Sequence, residues 1–292
     1  MTIEENIKLA VLMCTYKRKN GLSKGYLKRA FKSLENQTYK NFKLFVIGDD
    51  YSDNEEFEDI CKSYNGDIYY YNNPESFRTY NFKNKENHWS VGGGKAIIYA
   101  QNKVITENYD YYFHLDDDDT WEPNYVEIVV KYINRFPKVD VLYSRSVYLD
   151  GYMPYYHEPE ENVTYNNFPL KPAHSVHSTH VYNVKTLGNL LLEISLNLQK
   201  QADIINNKNN DQDKNKNKNN IEYYKKNADS YKVDLKKIKS ISDGYGYEYK
   251  EEWILPGDHL KAVELGNTKK YNNIFIPLII VNKYTDGNIP DI

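Results

Sequence analysis

FHLDDDDTWEP, Phe113 to Pro123, is the stretch on which the reading turns. An apolar, strand-like run, Tyr109–Asp116, delivers four consecutive carboxylates, Asp116, Asp117, Asp118 and Asp119. Adjacent like charges in a partly dry crevice repel one another unless a bound cation or backbone amides neutralise them. A hard divalent ion is the simplest neutraliser. The plain alternative is a solvated acidic turn, although such turns rarely end so apolar a strand.

Outward from this stretch, β-branched and apolar runs recur at Ile7–Tyr16, Phe42–Asp50, Ile68–Asn73 and Val139–Leu149. Helical spacing alternates with them: Leu27, Ala30, Phe31 and Leu34 lie between the first two, and Ala96, Ile97, Tyr99, Ala100 and Val104 precede the acidic strand. This βαβ rhythm predicts an α/β fold with a mostly parallel, doubly wound sheet. In such sheets ligands bind beyond the carboxyl ends of the strands. Thr15–Arg18, Asp49–Asp53 and Asp116–Asp119 should therefore gather on one edge. After Pro123 a helix is expected through Tyr125, Ile128, Val129 and Tyr132, with Pro137 just past its end.

Composition narrows the partners. Among 292 residues, 38 Lys and Arg face 41 Asp and Glu, a net charge of −3, so there is no basic footprint for nucleic acid or anionic membranes. The two cysteines, Cys14 and Cys61, have no CxxC spacing and read as reduced, buried thiols of an intracellular protein. The N-terminal apolar run follows acidic residues and is too short for a signal or a span, and no other segment would cross a bilayer. A cytoplasmic location is expected. The abundance of Tyr, Asn and Lys looks like codon pressure from an AT-rich genome. Gln199 to Asn220, rich in Asn and Lys and nearly devoid of apolar side chains, reads as a disordered or mobile insertion.

Two metal chemistries fit the acidic run. One is the DxD motif of glycosyltransferases, in which carboxylates and Mg²⁺ or Mn²⁺ hold a nucleotide diphosphate. The other is the DxDxT nucleophile of haloacid-dehalogenase-like phosphohydrolases, which Asp116, Asp118 and Thr120 match by letter. There the nucleophile precedes the second acidic motif, whereas GDDYSD at 48–53 comes first here.

TYKR at 15–18, SLENQTYKNFKLFVIGDD at 33–50 and HLDDDDTWEP together resemble the family 2 glycosyltransferases of GT-A fold, well over about the first 150 residues and loosely beyond. The resemblance implies a nucleotide-sugar-binding half at 1–122 and an acceptor-binding half at 123–292. It implies that Thr15 and Tyr16 line a base pocket with Arg18 nearby, and that Asp49, or Asp50 if the register slips, accepts the base N–H. A uracil imide suits that role, so UDP is the favoured donor nucleotide. Asp116 and Asp118 match the two DxD acids, Asp118 as the more direct metal ligand, with Asp116 or Asp117 reaching the ribose or the ion through water. Asp119 is expected to point away or cap the next helix. Lys95, in the SVGGGKA that opens a helix at 90–96, resembles a basic residue near the nucleotide, although the P-loop spacing is absent.

An inverting transferase needs a base for the acceptor hydroxyl. Asp258, after a Pro-Gly turn, resembles that base, with Glu251 and Glu252 competing and a helix N-cap as the alternative role. His177 and Trp253 are assigned to the acceptor cleft. His174, His177 and His180 also match a zinc site superficially. No histidine follows in VNKYTDGNIPDI, so Asp286 would substitute as a further ligand, or the ion would rely on the DxD and diphosphate. The Q/R-x-x-R-W motif of processive synthases is missing. These features imply a soluble transferase of the hexosyl or N-acetylhexosaminyl type, adding one sugar to a glycan, lipid or protein hydroxyl. A catalytically degenerate sugar- or nucleotide-binding protein is the non-enzymatic alternative.

Overall fold

The computed structural model describes residues 7–148, 151–153, 176–210, 261, 265 and 271–283. Its first half follows the expected alternation: β1 (Leu9–Thr15), α1 (Ser23–Glu35), β2 (Lys43–Asp49), α2 (Asn54–Lys62), β3 (Ile68–Asn73), α3 (Lys85–Ser90), α4 (Gly94–Thr106) and β4 (Tyr111–His114). The second half adds β5 (Thr120–Trp121), α5 (Tyr125–Arg135), β6 (Val141–Tyr148), β7 (Gly151–Met153), β8 (Val181–Asn183), α6 (Val184–Asn210) and β9 (Asn273–Lys283).

The strands form one sheet in the order β3-β2-β1-β4-β8-β6-β9-β5, with β7 on β6. The run β3-β2-β1-β4 is wholly parallel. Beyond it β8 joins β4 and β6 antiparallel, while β6 and β9 run parallel. Consecutive strand side chains point to opposite faces, and both faces are covered. Leu9, Val11 and Met13 pack with Leu27, Phe31, Val126 and Val129 of α1 and α5. Ala10 and Leu12 pack with Ala96, Ala100, Leu187 and Leu191 of α4 and α6. This is why β1 and β2 read as unbroken apolar runs rather than alternating ones.

Gln37, in the Asn-Gln-Thr that follows α1, is buried and joins the two helices of the first layer. Its amide donates to the Glu122 carbonyl at 2.9 Å and its oxygen accepts from the Val126 N–H at 3.1 Å, satisfying a first-turn donor of α5. On the opposite layer Ser195 of α6 donates to Gln101 of α4 at 2.7 Å, and Gln101 donates to the Tyr112 hydroxyl at 3.1 Å.

The expected insertion is corrected in its first part. Residues 199–210 continue α6 as helix. Leu187, Leu191, Ile194, Leu198 and Ala202 recur every three or four residues, so the apolar stripe carries past Gln199, and the last three bury against Phe77, Phe82 and Val91. Asp203 accepts from the Tyr80 hydroxyl at 2.6 Å and Asn206 from the Asn81 N–H at 2.8 Å. Residues 211–220 lie outside the described residues.

Candidate active site

The acidic run follows β4 directly. The Asp119 N–H donates to the Asp116 carbonyl at 3.1 Å, which closes a turn and points Asp116 and Asp119 to the same side. Carboxylate oxygens of Asp116, Asp118 and Asp119 all lie within 4.8 Å of one another. The expectation that Asp119 points away is therefore wrong: it is fully buried and takes a 2.6 Å bond from the Ser178 hydroxyl. Ser178 sits in a short 3₁₀ turn, His177–Thr179, tied to β5 by the Trp121 indole N–H, which donates to the Ser178 carbonyl at 2.9 Å.

Asp117 faces the other way. The Arg18 guanidinium grips both its oxygens at 2.7 and 2.8 Å, and the Thr15 hydroxyl donates to it at 2.6 Å. All three residues are buried. Burial alone would disfavour the charged guanidinium, but Asp117 outweighs it and raises the Arg18 pKa. Arg29 of α1 donates to the Asp118 carbonyl at 2.8 Å. Thr15 and Arg18, expected at a base pocket, fix the acidic turn to the end of β1.

Charge in the cluster is unevenly spread. Burial raises the Asp118 carboxyl to about 6, with the Asp117 charge adding to the rise. Burial likewise raises Asp119 to about 8 against the pull of Lys283. For Asp116 the burial effect is overcome by Lys283 and by a 3.0 Å bond to His114 Nε2, leaving it well below the usual carboxylate range. The rings of His114 and His177 stack 3.5 Å apart, so His177 abuts the acids through His114. Burial, and then the neighbouring His114, push the His177 imidazole well below its usual pKa. His180 turns to the Tyr182 hydroxyl at 2.9 Å, while His174 lies outside the described residues.

A second group lies at the ends of β2 and β3. Asp49 is 2% exposed and accepts from the Gly93 N–H at 3.1 Å and from Arg78 Nε at 3.2 Å. Burial raises its pKa against these partners. Its Oδ1 is buried without a well-formed hydrogen bond among the described residues. Asp50 adopts a left-handed φ of 54° and is exposed, so Asp49 is the acid that faces inward. Tyr16 lies under Arg78, 3.4 Å from the guanidinium carbon to the ring centre, with Arg18 at 4.7 Å. Lys95 pairs with Glu75 at 2.7 Å. Asp258, Trp253, Glu251, Glu252 and Asp286 lie outside the described residues.

Arg29, Arg78, His114, Ser178 and Lys283 were not singled out from sequence. His114 was within reach, since the β4 alternation places it opposite Phe113 and two residues before the first acid. The others meet the site across 29 to 167 positions of chain, Ser178 through the 3₁₀ turn, with no local signal.

The donor set suits a hard divalent cation, which takes carboxylate oxygens such as those of Asp116, Asp118 and Asp119. A second triad, His114, Asp116 and His177, shares Asp116.

The profile described as Glycosyl transferase family 2 matches residues 10–188, more than half of the chain, and the chain belongs to that family, with its GT-A arrangement of sheet and helices. An uncharacterized glycosyltransferase of Acanthamoeba polyphaga mimivirus is 30% identical over 183 residues, 59% of this chain and 71% of that protein. One of Rickettsia conorii is 32% identical over 117 residues, 40% of this chain and 16% of that protein. Among solved structures, residues 1–349 of S. aureus TarS in complex with UDP align with TM-score 0.49 at 12% identity, covering 95% of this chain and 60% of that one. The mannosyltransferase PcManGT from Pyrobaculum calidifontis, in complex with GDP-Man and Mn²⁺, aligns with TM-score 0.41 at 12% identity, covering 63% and 46%. The chain thus spans less than two thirds of either solved chain. Among the described residues no helix is long and apolar enough to cross a membrane.

Proposed function

We propose that the chain is a metal-dependent, inverting glycosyltransferase that moves one hexose or N-acetylhexosamine from a nucleoside-diphosphate sugar, with UDP favoured, to a hydroxyl of a glycan, lipid or protein. The observation that carries this is the convergence of Asp116, Asp118 and Asp119 at the carboxyl end of β4, in a chain of this family. Family membership also leaves the phosphohydrolase reading of Asp116, Asp118 and Thr120 without support.

Asp116 and Asp118, joined by Asp119, would hold Mn²⁺ or Mg²⁺. When bound, the ion supplies charge stabilisation for the leaving diphosphate. The chain's own residues do the rest. Arg18 and Thr15 fix the acidic turn through Asp117, so the carboxylates stay aimed at the crevice without rearrangement during turnover. Asp49 Oδ1, buried and short of a donor, suits the imide N–H of uracil. Tyr16 stacks against Arg78, and Arg78 pairs directly with Asp49, opposing the rise in its pKa that burial causes. His177 and Trp253 would border the acceptor, and Asp258 would take the hydroxyl proton as the anomeric carbon is attacked from the face opposite the diphosphate. Residues 1–122 would then serve the nucleotide and 123–292 the acceptor.

The test is release of UDP when the chain is mixed with UDP-sugars and Mn²⁺. Slow, metal-dependent hydrolysis abolished by Asp118→Asn supports the reading. Absence of release with every nucleoside-diphosphate sugar, from a chain that still binds UDP, favours a degenerate binding protein.

A further inference from the structure

Lys283 is the last residue of β9 and carries its ammonium into the acidic cluster. The nitrogen lies 3.3 Å from Asp116 Oδ2 and 3.5 and 3.4 Å from the two Asp119 oxygens. These separations exceed the usual charge-assisted hydrogen bond, so the ammonium is shared between the two acids rather than docked on either. The side chain is 16% exposed, unlike Lys131, which is 68% exposed in its helical pair with Glu127. An ammonium buried in this way loses hydration that only the carboxylates replace.

Arg18 is held by both oxygens of Asp117 and reaches only the edge of the cluster, at 3.5 Å from Asp118 Oδ2, whereas Lys283 is the ammonium set between Asp116 and Asp119. A divalent ion needs oxygens of the same carboxylates and is repelled by an ammonium beside it in a low-dielectric pocket.

We propose that Lys283 is an internal counter-cation that competes with the divalent ion for Asp116 and Asp119, so that the ion enters only as the ammonium leaves. The inference rests on the acidic cluster being the cation site proposed above. β9 fixes the backbone of Lys283 by its pairing to Tyr148 of β6, and the four-carbon stem gives the ammonium room to swing without unpairing the strand. Lys283 thereby sets how much divalent ion the chain requires.

The experiment is titration of the nucleotide-free chain with Mn²⁺ alone, read by the electron paramagnetic resonance signal of free Mn²⁺. Lys283→Met should tighten binding by roughly tenfold or more, equivalent to about 1.4 kcal/mol, whereas Lys283→Arg, which keeps the charge, should not. Unchanged or weaker Mn²⁺ binding in Lys283→Met, or no Mn²⁺ binding in either protein, overturns the proposal. A second measurement needs no variant: acetylation of Lys283 in the wild-type chain, followed by mass spectrometry, should accelerate when Mn²⁺ is saturating. A rate indifferent to Mn²⁺ overturns it. Neither measurement uses a donor, so a chain that shows the competition yet hydrolyses no nucleotide sugar sinks the transferase reading alone.

Discussion

Arg18 and Asp117 meet through two parallel hydrogen bonds, Nη1 to Oδ2 at 2.8 Å and Nη2 to Oδ1 at 2.7 Å, tying the segment after β1 to the acidic turn after β4. Both side chains are 6% exposed, so neither charge has water to fall back on. Removing one partner of such a pair leaves an uncompensated buried charge, typically at a cost of about 3–5 kcal/mol, whereas replacing both with apolar groups often costs little. Arg18→Met should therefore lower stability by about that amount in urea denaturation, and Arg18→Met with Asp117→Leu should recover most of it. Additive losses in the double variant would show that the two are not coupled.

The parallel half of the sheet was legible because β1 and β2 bury both faces and carry the unbroken apolar runs Leu9–Cys14 and Leu44–Ile47, with helical spacing between them. The acids were legible for the same reason, since a strand that ends in charge announces its edge. What sequence did not disclose is which acid does what. Four adjacent aspartates are equivalent on paper, and only the turn closed by the Asp119 N–H and the grip of Arg18 separate the cluster of Asp116, Asp118 and Asp119 from the anchored Asp117. Polar composition misled from residue 199 onward, because Ala202 and Ile205 continue the apolar stripe while Lys200 and Asn207 stay exposed. Lys283 and Ser178 meet the acids over 164 and 59 positions of chain, beyond any local pattern.

Asp49 and Asp118 should separate base recognition from cation binding. Asp49→Asn removes the charge that would accept an imide N–H, a charged hydrogen bond of about 1.5–3 kcal/mol. Calorimetric titration with UDP should weaken by tenfold or more, while Mn²⁺ binding stays at the wild-type level. Asp118→Asn should abolish the dependence of UDP binding on Mn²⁺. If both variants bind UDP as the wild type does, the crevice is not a uridine site.

Asp119 sets a pH dependence of stability. Its pKa rises from an ordinary 3.8 to about 8 in the folded chain. Below both values each state holds the proton. As pH rises from about 4 to about 8 the unfolded chain releases it while the folded chain retains it, so stability falls through that window. Asn at 119 has no proton to retain. Asp119→Asn should thus gain melting temperature over the metal-free wild type as pH is raised from 5 to 8, by a few degrees or about 1–3 kcal/mol, and the gain should level off above pH 8. Asp116 contributes the opposite sign, because its lowered pKa adds stability above about pH 4 that is lost on further acidification. A melting-temperature difference for Asp119→Asn that does not vary with pH would place its proton elsewhere.

Gly48 in β2 is required by its neighbour Asn72 in β3. A Cβ at Gly48 would stand 2.4 Å from Asn72 Oδ1 and 3.2 Å from the Asn72 Cα, too close for any side chain but glycine unless Asn72 moves. Asn72 is not free to move without loss. Its Oδ1 accepts from the Tyr51 N–H and its Nδ2 donates to the Tyr51 carbonyl, each at 2.9 Å, and this clamp shapes the turn that turns Asp49 inward and Asp50 out. Gly48→Ala should swing the Asn72 amide aside and forfeit both bonds, at about 1–3 kcal/mol. It should also weaken UDP binding under conditions where the variant remains folded, because Asp49 moves with the turn. Adding Asn72→Ala removes the 2.4 Å contact with Oδ1 but neither the tight approach to the Cα nor the loss of the clamp, so the double variant should be no less stable than Gly48→Ala yet bind UDP as poorly. Full binding in the double variant would show that Asp49 is held by Arg78 and Gly93 alone.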